Sequence, residues 1–160
     1  MNPKKPIFFL VLLAVFTVQL AGCSPSTVQE KAEQGDTDAI ASLRKKAEQG
    51  DASAQFSFGY MYDSGRGVPQ DYKEAVKWYR KAAEQGYANA QALLGVVYGL
   101  GQGVPQDYVE SHKWINLAAA DEFKGTSKLR DACAALMTPE QIAEAQKLAR
   151  EWKPKKARGK

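Results

Sequence analysis

The chain carries one sequence pattern twice. Residues 50–84 align with residues 86–120 at an offset of 36 residues, and 18 of the 35 aligned pairs are identical. Unrelated segments would match at about 6% of positions, so the two segments are copies of one structural unit. A unit of this length cannot bury its apolar face alone and has to stack on its neighbours. The repeat therefore predicts a stack of similar units.

Each copy has the pattern of two helices joined by a loop. Helix A of copy one is predicted from Ala52 to Ser64, because the two glycines and the proline of residues 65–70 favour a turn. Helix B begins at Asp71, whose carboxylate can accept from free backbone N–H groups while Glu74 reaches back as a capping box. Copy two repeats both features at Asp107 and Glu110. We therefore expect an all-α fold, an α/α solenoid of helix-turn-helix repeats over residues 50–85 and 86–121.

Similar helix signals flank the two copies. Ala-Glu-Gln-Gly recurs at 32–35, 47–50 and 83–86, and glycine commonly ends a helix in the left-handed conformation. A degenerate leading half-repeat is therefore predicted at residues 31–49, with helices over Thr27–Gln34 and Thr37–Gln49. Downstream, residues 122–152 are predicted to form capping helices. Ser127 would start a helix to Leu136, and Thr138 would start the last one, to Trp152.

The amino terminus has the features of a lipoprotein signal. Residues 7–18 form an apolar run of about twelve residues, which as a helix reaches only about 20 Å of the roughly 30 Å hydrocarbon core. A secretory signal over residues 1–22 fits better than a membrane span. Leu20-Ala21-Gly22-Cys23 matches the bacterial lipobox, so Cys23 is predicted to be acylated, with residues 23–30 as a linker. By resemblance to lipoproteins, Ser24 favours the outer membrane, with the domain facing the periplasm.

The positive charge is concentrated at the two ends of the chain. The net charge of +4 falls to +2 without Lys4 and Lys5, and residues 153–160 hold five further positive charges, which leaves −3 for residues 23–152. This balance gives no support for a nucleic-acid partner. The basic tail 153–160 is either a disordered solubilising end or a contact for anionic lipid or cell-wall polymer.

Few residues offer chemistry for catalysis. Cys133 lies in a helical apolar pattern and is expected to be a core thiol. His112, the only histidine, is expected to be an ordinary surface residue, since no Cys, Asp or Glu lies at ligand or triad spacing with it. The sequence predicts no catalytic residue, no metal and no cofactor.

These residues resemble the Sel-like repeat family of α/α solenoids, which are related to tetratricopeptide repeats. The resemblance covers residues 30–152, including a C-terminal helix similar to the family's, and rests on Ala54, Gln55, Phe58, Gly59, Tyr62, Gly65, Gly67, Val68, Asp71, Ala75, Trp78, Ala82, Ala83 and Gly86 with their counterparts between Ala90 and Ala119. It implies an adaptor that binds a protein or peptide partner.

If tetratricopeptide geometry holds, helix A lines the concave face of the stack. The partner-binding positions are then Ser53, Phe56, Tyr60 and Asp63 in copy one, and Asn89, Ala92, Val96 and Gly99 in copy two. Their spacing keeps each set on one helical stripe. Phe56 and Tyr60 suggest a shallow apolar groove for an extended peptide or a helix. The alternative is that both pack against the helix Thr37–Gln49.

Two other functions compete with the adaptor. Some cysteine-rich relatives have been linked to β-lactam binding, which suggests a hydrolase, but their paired cysteines are absent here. The other reading is a structural envelope lipoprotein that contacts the cell wall through its basic tail.

Overall fold

The computed structural model describes residues 27–120 and 125–155, and every regular element in these ranges is a helix. We number the helices α1 Thr27–Glu33, α2 Thr37–Glu48, α3 Ala52–Ser64, α4 Tyr72–Glu84, α5 Ala88–Leu100, α6 Tyr108–Ala120, α7 Thr126–Ala134 and α8 Pro139–Glu151. Each helix from α1 to α6 packs against the next, and both α7 and α8 pack against α6. This arrangement confirms the predicted all-α solenoid with a C-terminal cap.

The helix starts follow the prediction in part. The Asp71 carboxylate accepts hydrogen bonds from the backbone N–H groups of Lys73 and Glu74, as a helix cap should. The predicted capping-box bond, in which the Glu74 carboxylate accepts from the backbone N–H of Asp71, is wrong. The Glu74 carboxylate pairs instead with Lys77, one turn further along the helix. A complete capping box forms instead at Thr138 and Gln141, where both hydrogen bonds are present.

In copy two the predicted capping-box bond of Glu110 is wrong for a similar reason. Asp107 accepts from the backbone N–H groups of Val109 and Glu110. The Glu110 carboxylate accepts from Lys113 Nζ at 2.7 Å and from Trp114 Nε1 at 3.0 Å. Both donors lie three or four residues ahead, on the same helical face, and the cation gives the carboxylate a stronger partner than a backbone amide.

α1 begins at Thr27, as predicted, so the helix includes residues 27–30 of the predicted linker, and Val28 packs against the apolar core between α1 and α4. The boundaries of α7 differ from the predicted ones. α7 begins at Thr126 after Gly125, whose φ is 92°, and it ends at Ala134 rather than at Leu136. Ser127 is therefore the second residue of the helix and does not act as the cap.

Glycine lets each loop rest on the preceding unit. Gly67 has a φ of 73°, and a Cβ at this position would collide with the backbone carbonyl of Ala32 at the end of α1. Gly103 occupies the same place in copy two, against the backbone carbonyl of Tyr72 at the start of α4. The Gly-x-Gly-Val-Pro loop therefore joins the helices of one copy and also fixes how that copy stacks on its neighbour.

Within each copy, small residues bring helix A close to helix B. The ring of Tyr79 on α4 lies directly against Gly59 on α3, where a Cβ would be 2.8 Å from the ring carbon Cδ1. Tyr79, Ala82 and Ala83 are fully buried, and Trp78 is nearly so. These aromatic and small residues therefore build the core between the two helices of copy one.

The chain after α8 packs on both copies. The Trp152 ring packs edge to face on Trp114, with ring centroids 6.1 Å apart. The backbone N–H of Lys155 donates to the carbonyl of Glu84 at 2.7 Å, and Lys155 Nζ lies 2.9 Å from the Glu84 carboxylate. Lys155 therefore departs from the predicted disordered tail, because it binds the last residue of α4.

Some predictions fall on residues that the structure does not describe. The signal segment 1–22, Cys23 and residues 24–26 lie outside the described ranges, as do residues 121–124 and 156–160. Within residues 27–120 and 125–155, none of the helices combines the length and apolarity that a membrane span requires.

Candidate partner-binding face

The eight predicted binding positions divide into two groups according to their copy. In copy one, Ser53 is exposed, and Phe56, Tyr60 and Asp63 are half-buried. In copy two only Asn89 stays half-exposed, whereas Ala92 and Val96 are each 7% exposed and Gly99 is buried. The prediction of an open stripe through Ala92 and Val96 is therefore wrong, and the accessible stripe is confined to copy one.

Helix α7 explains why Val96 is closed. Val96 belongs to a buried cluster with Ile115 on α6 and with Leu129 and Cys133 on α7. The repeat pattern ends before α7, so the repeat alone does not show which side of copy two this helix covers. The same burial confirms the prediction that Cys133 is a core thiol, and burial raises its pKa.

The side chains of copy one form a compact aromatic group. The Phe56 ring lies 5.9 Å from the Tyr79 ring and 5.4 Å from the Tyr87 ring, measured between centroids. Phe56 and Tyr60 both pack against the core between α4, α5 and α6. The alternative of packing against α2 is not observed, because the cluster that includes α2 involves other α3 residues.

Asp63 adds a carboxylate to this group. Tyr79 Oη donates a hydrogen bond to Asp63 Oδ2 at 3.3 Å, from a side chain that is fully buried. Burial raises the pKa of Asp63, and the Tyr79 hydrogen bond only partly opposes that shift. We call Phe56, Tyr60, Asp63 and Tyr79 the copy-one cluster. Within the described part of the chain, no Lys, Arg or His lies within ion-pair distance of the Asp63 carboxylate.

Comparing the two copies separates this cluster from the scaffold. At the offset of 36 residues its four members correspond to Ala92, Val96, Gly99 and Ile115. The contacts that build the fold are nonetheless kept. Gln70 Nε2 donates to the backbone carbonyl of Asp63 at 2.7 Å, and Gln106 Nε2 donates to that of Gly99 at the same distance. The loop uses only the backbone of residue 63, so its carboxylate is not required by the repeat.

The alignment also reveals a residue that sequence analysis missed. Tyr87 occupies the position of Asp51, the side chain that caps α3 by accepting from the backbone N–H of Ala54. Tyr87 makes no side-chain hydrogen bond to α5 and packs on Phe56 instead. Losing such a cap costs about 1 kcal/mol. An aromatic residue at a capping position was the signal that could have pointed to Tyr87.

Known proteins share this architecture. The Sel1 repeat pattern matches residues 52–87 and 88–122. A Sel1 repeat protein from Oxalobacter formigenes has a solved structure that is 33% identical in sequence, with a TM-score of 0.60, over 75% of this chain and 96% of that one. The chain belongs to the Sel1 repeat family. No curated protein matches it by sequence.

A second Sel1-like structure is similar over a larger share of this chain. It is a protective antigen present in uropathogenic Escherichia coli strains that displays an SLR fold, at 33% identity and a TM-score of 0.72 over 78% of this chain. This chain spans 27% of that protein's chain. Sel1 repeat proteins are generally scaffolds for protein interactions, and they bind protein partners.

His112 differs from its predicted place in this Sel1 repeat stack. It was expected at the surface but is 2% exposed, and within the described residues its Nδ1 has no hydrogen-bond partner. Burial lowers its pKa, and the charge of Arg130 on α7 lowers it further. The alignment held a signal for this burial, because His112 corresponds to Val76, which is buried in copy one.

The rest of the described Sel1 repeat stack has few side chains suited to catalysis or to metal binding. The thiol of Cys133 lies 3.5 Å from Ser111 Oγ, and both residues are fully buried. Among residues 27–120 and 125–155, no three His, Cys, Asp or Glu side chains come together as a metal site would require. The copy-one cluster is therefore the strongest candidate site in these ranges.

Proposed function

We propose that this protein is a non-enzymatic scaffold that binds a protein or peptide partner through the copy-one cluster. The observation that carries the proposal is the contrast between the copies. Phe56, Tyr60 and Asp63 stay accessible where copy two has Ala92, Val96 and Gly99 within its core. Large aromatic side chains held rigidly at a surface give contact area at a low entropic cost, which suits a binding face.

The rigidity of Phe56 strengthens the proposal. Its ring is held between Tyr79, which is fully buried, and Tyr87, which follows the turn after α4. A ring fixed in this way has already lost its rotamer freedom in the free protein. A partner therefore gains the contact without ordering the side chain, which is the basis of preorganised recognition.

Site-specific photo-crosslinking tests the binding face. A benzophenone amino acid is placed at position 56 or 60, and as a control at position 143, which replaces Ala143 on the exposed side of α8. We expect the same discrete adduct from positions 56 and 60 and none from position 143. Identical adducts at all three positions, or none at positions 56 and 60, would contradict the proposed face.

We further propose that the scaffold is displayed in the bacterial cell envelope through acyl chains on Cys23, at the outer membrane and facing the periplasm. The order of charge, apolar run, small residues and cysteine in residues 4–23 supports this. Two or more acyl chains hold a protein stably at a membrane. In the Cys23→Ala variant we expect no incorporation of labelled palmitate and loss from the outer-membrane fraction. Unchanged labelling would rule out this anchor.

A direct assay addresses the non-enzymatic part of the proposal. The purified chain is incubated with the chromogenic β-lactam nitrocefin, beside a variant with Phe56→Ala and a Sel1 repeat protein of similar length. We expect the same background rate in all three samples. Turnover above background by the wild type alone would contradict a purely binding role.

A further inference from the structure

We propose that the copy-one cluster receives a cationic side chain, an arginine or a lysine, from the bound partner. The inference rests on the proposed function, because it specifies the chemistry of the residue that docks there. Asp63 would pair with the cation, and Phe56 and Tyr60 would pack along its apolar stem and present their ring faces to its charge.

The first argument is the unmet bonding capacity of Asp63. A carboxylate can accept about four hydrogen bonds, whereas among the described residues this side chain receives one, from Tyr79 Oη at 3.3 Å. A half-buried carboxylate without a cation loses hydration and gains little in return. Other half-buried carboxylates of the stack do have cations. Glu84 pairs with Lys155, and Glu110 pairs with Lys113.

The second argument is the placement of aromatic rings beside that carboxylate. Tyr60 and Phe56 lie three and seven residues before Asp63, so all three share one face of α3. Aromatic faces attract cations, arginine most often. The fold already uses this interaction, because Lys81 Nζ lies 3.8 Å from the centre of the Trp78 ring and Lys113 Nζ lies 4.6 Å from that of Trp114.

The third argument is a basic segment that is already bound nearby. The backbone of Trp152 is extended where the chain leaves α8, and Lys155 binds Glu84 through both its backbone N–H and its ammonium group. Glu84 lies three residues before Tyr87, whose ring contacts Phe56. The carboxyl end of α4 thus already binds a lysine of the chain through a main-chain hydrogen bond and an ion pair.

The comparison of the two repeats supports the same proposal. Copy two shows that the solenoid accepts Gly99 and Ile115 in place of Asp63 and Tyr79. The scaffold therefore does not need the carboxylate or the hydroxyl, although keeping a carboxylate half-buried costs free energy.

The test measures how the full chain, purified in detergent, binds arrays of short random peptides. Each array holds the central residue fixed as Arg, Lys, Leu or Glu. The test variant is Asp63→Asn, which keeps an acceptor for the Tyr79 hydroxyl. The charge control is Glu144→Gln on the exposed side of α8, and Phe56→Ala tests the proposed face itself. If Asp63→Asn loses its helical circular dichroism, Asp63→Gly, the copy-two residue, replaces it.

We expect wild type and Glu144→Gln to bind the Arg and Lys arrays about tenfold to a hundredfold more tightly than the Leu array. Asp63→Asn should lose that preference. Equal binding of the Arg and Leu arrays, still lost in Phe56→Ala, would overturn the cation proposal and leave the proposed face intact. No binding by the wild type, or binding that neither variant alters, would overturn both.

Discussion

Substituting Gly59 with alanine tests the close approach on which the repeat unit depends. A Cβ at this position would lie 2.8 Å and 2.9 Å from two carbons of the Tyr79 ring, and 3.2 Å from the backbone carbonyl oxygen of Ala75. Favourable carbon contacts lie at about 3.5–4.0 Å, so the new methyl group is roughly 0.7 Å too close to the ring. The ring is fully buried and cannot turn away into solvent.

The cost follows from two opposing effects. Inserting a methyl group into a well-packed core costs about 1–3 kcal/mol, whereas replacing glycine by alanine within a helix gains about 1 kcal/mol. We expect Gly59→Ala to lower the free energy of unfolding by about 1 kcal/mol, and the melting temperature by about 4 °C for a domain of this size. Thermal and urea unfolding of the full chain, followed by circular dichroism, measures both.

A double-mutant cycle with Tyr79→Val isolates the cause. Valine has no atoms at the two ring positions that the new methyl group meets, so Gly59→Ala should be neutral or stabilising in the Tyr79→Val background. The coupling free energy should be about 1–2 kcal/mol, within the range for residues in contact. An equal loss of stability in both backgrounds would refute the explanation by ring contact.

Three further predictions follow from buried and docked side chains. Because burial lowers the folded pKa of His112, the unfolded chain binds its proton more tightly, and stability should fall as the pH drops from about 6.5. His112→Val, the copy-one residue, should flatten this pH profile of melting temperature, and an unchanged profile would contradict it. Trp152→Ala should cost about 2–3 kcal/mol in urea unfolding and Lys155→Ala less than about 1 kcal/mol; equal costs would argue against Trp152 as the main contact. Burial raises the pKa of Cys133, so a disulfide reagent should label this thiol only on unfolding, and labelling of the native chain would be inconsistent with a closed α6–α7 interface.

The sequence predicts the repeating part of the fold well because local signals repeat there. Asp71 as a helix cap and the glycines at each loop follow from turn chemistry and from the alignment of the copies. The direction of the Glu74 side chain could not be predicted, because it depends on competition between a backbone amide and Lys77.

The candidate face was predicted less completely because it depends on contacts distant in sequence. Helix spacing places Phe56 and Tyr60 on one stripe of copy one, and it places Val96 on the corresponding stripe of copy two. Whether such a residue is open or covered is decided by α7, which carries no repeat signal and buries Val96 against Leu129. The seating of Lys155 on Glu84 joins residues that no local pattern connects.

The central claim is that the copy-one cluster binds the partner while the rest of the repeat builds the scaffold. Its most direct test is the affinity of the partner identified by crosslinking, measured by calorimetric titration. The titrations compare wild type with a variant that carries the copy-two residues Phe56→Ala, Tyr60→Val and Asp63→Gly. The account predicts more than a tenfold loss of affinity with the helical circular dichroism retained. Unchanged affinity in that folded variant would contradict it.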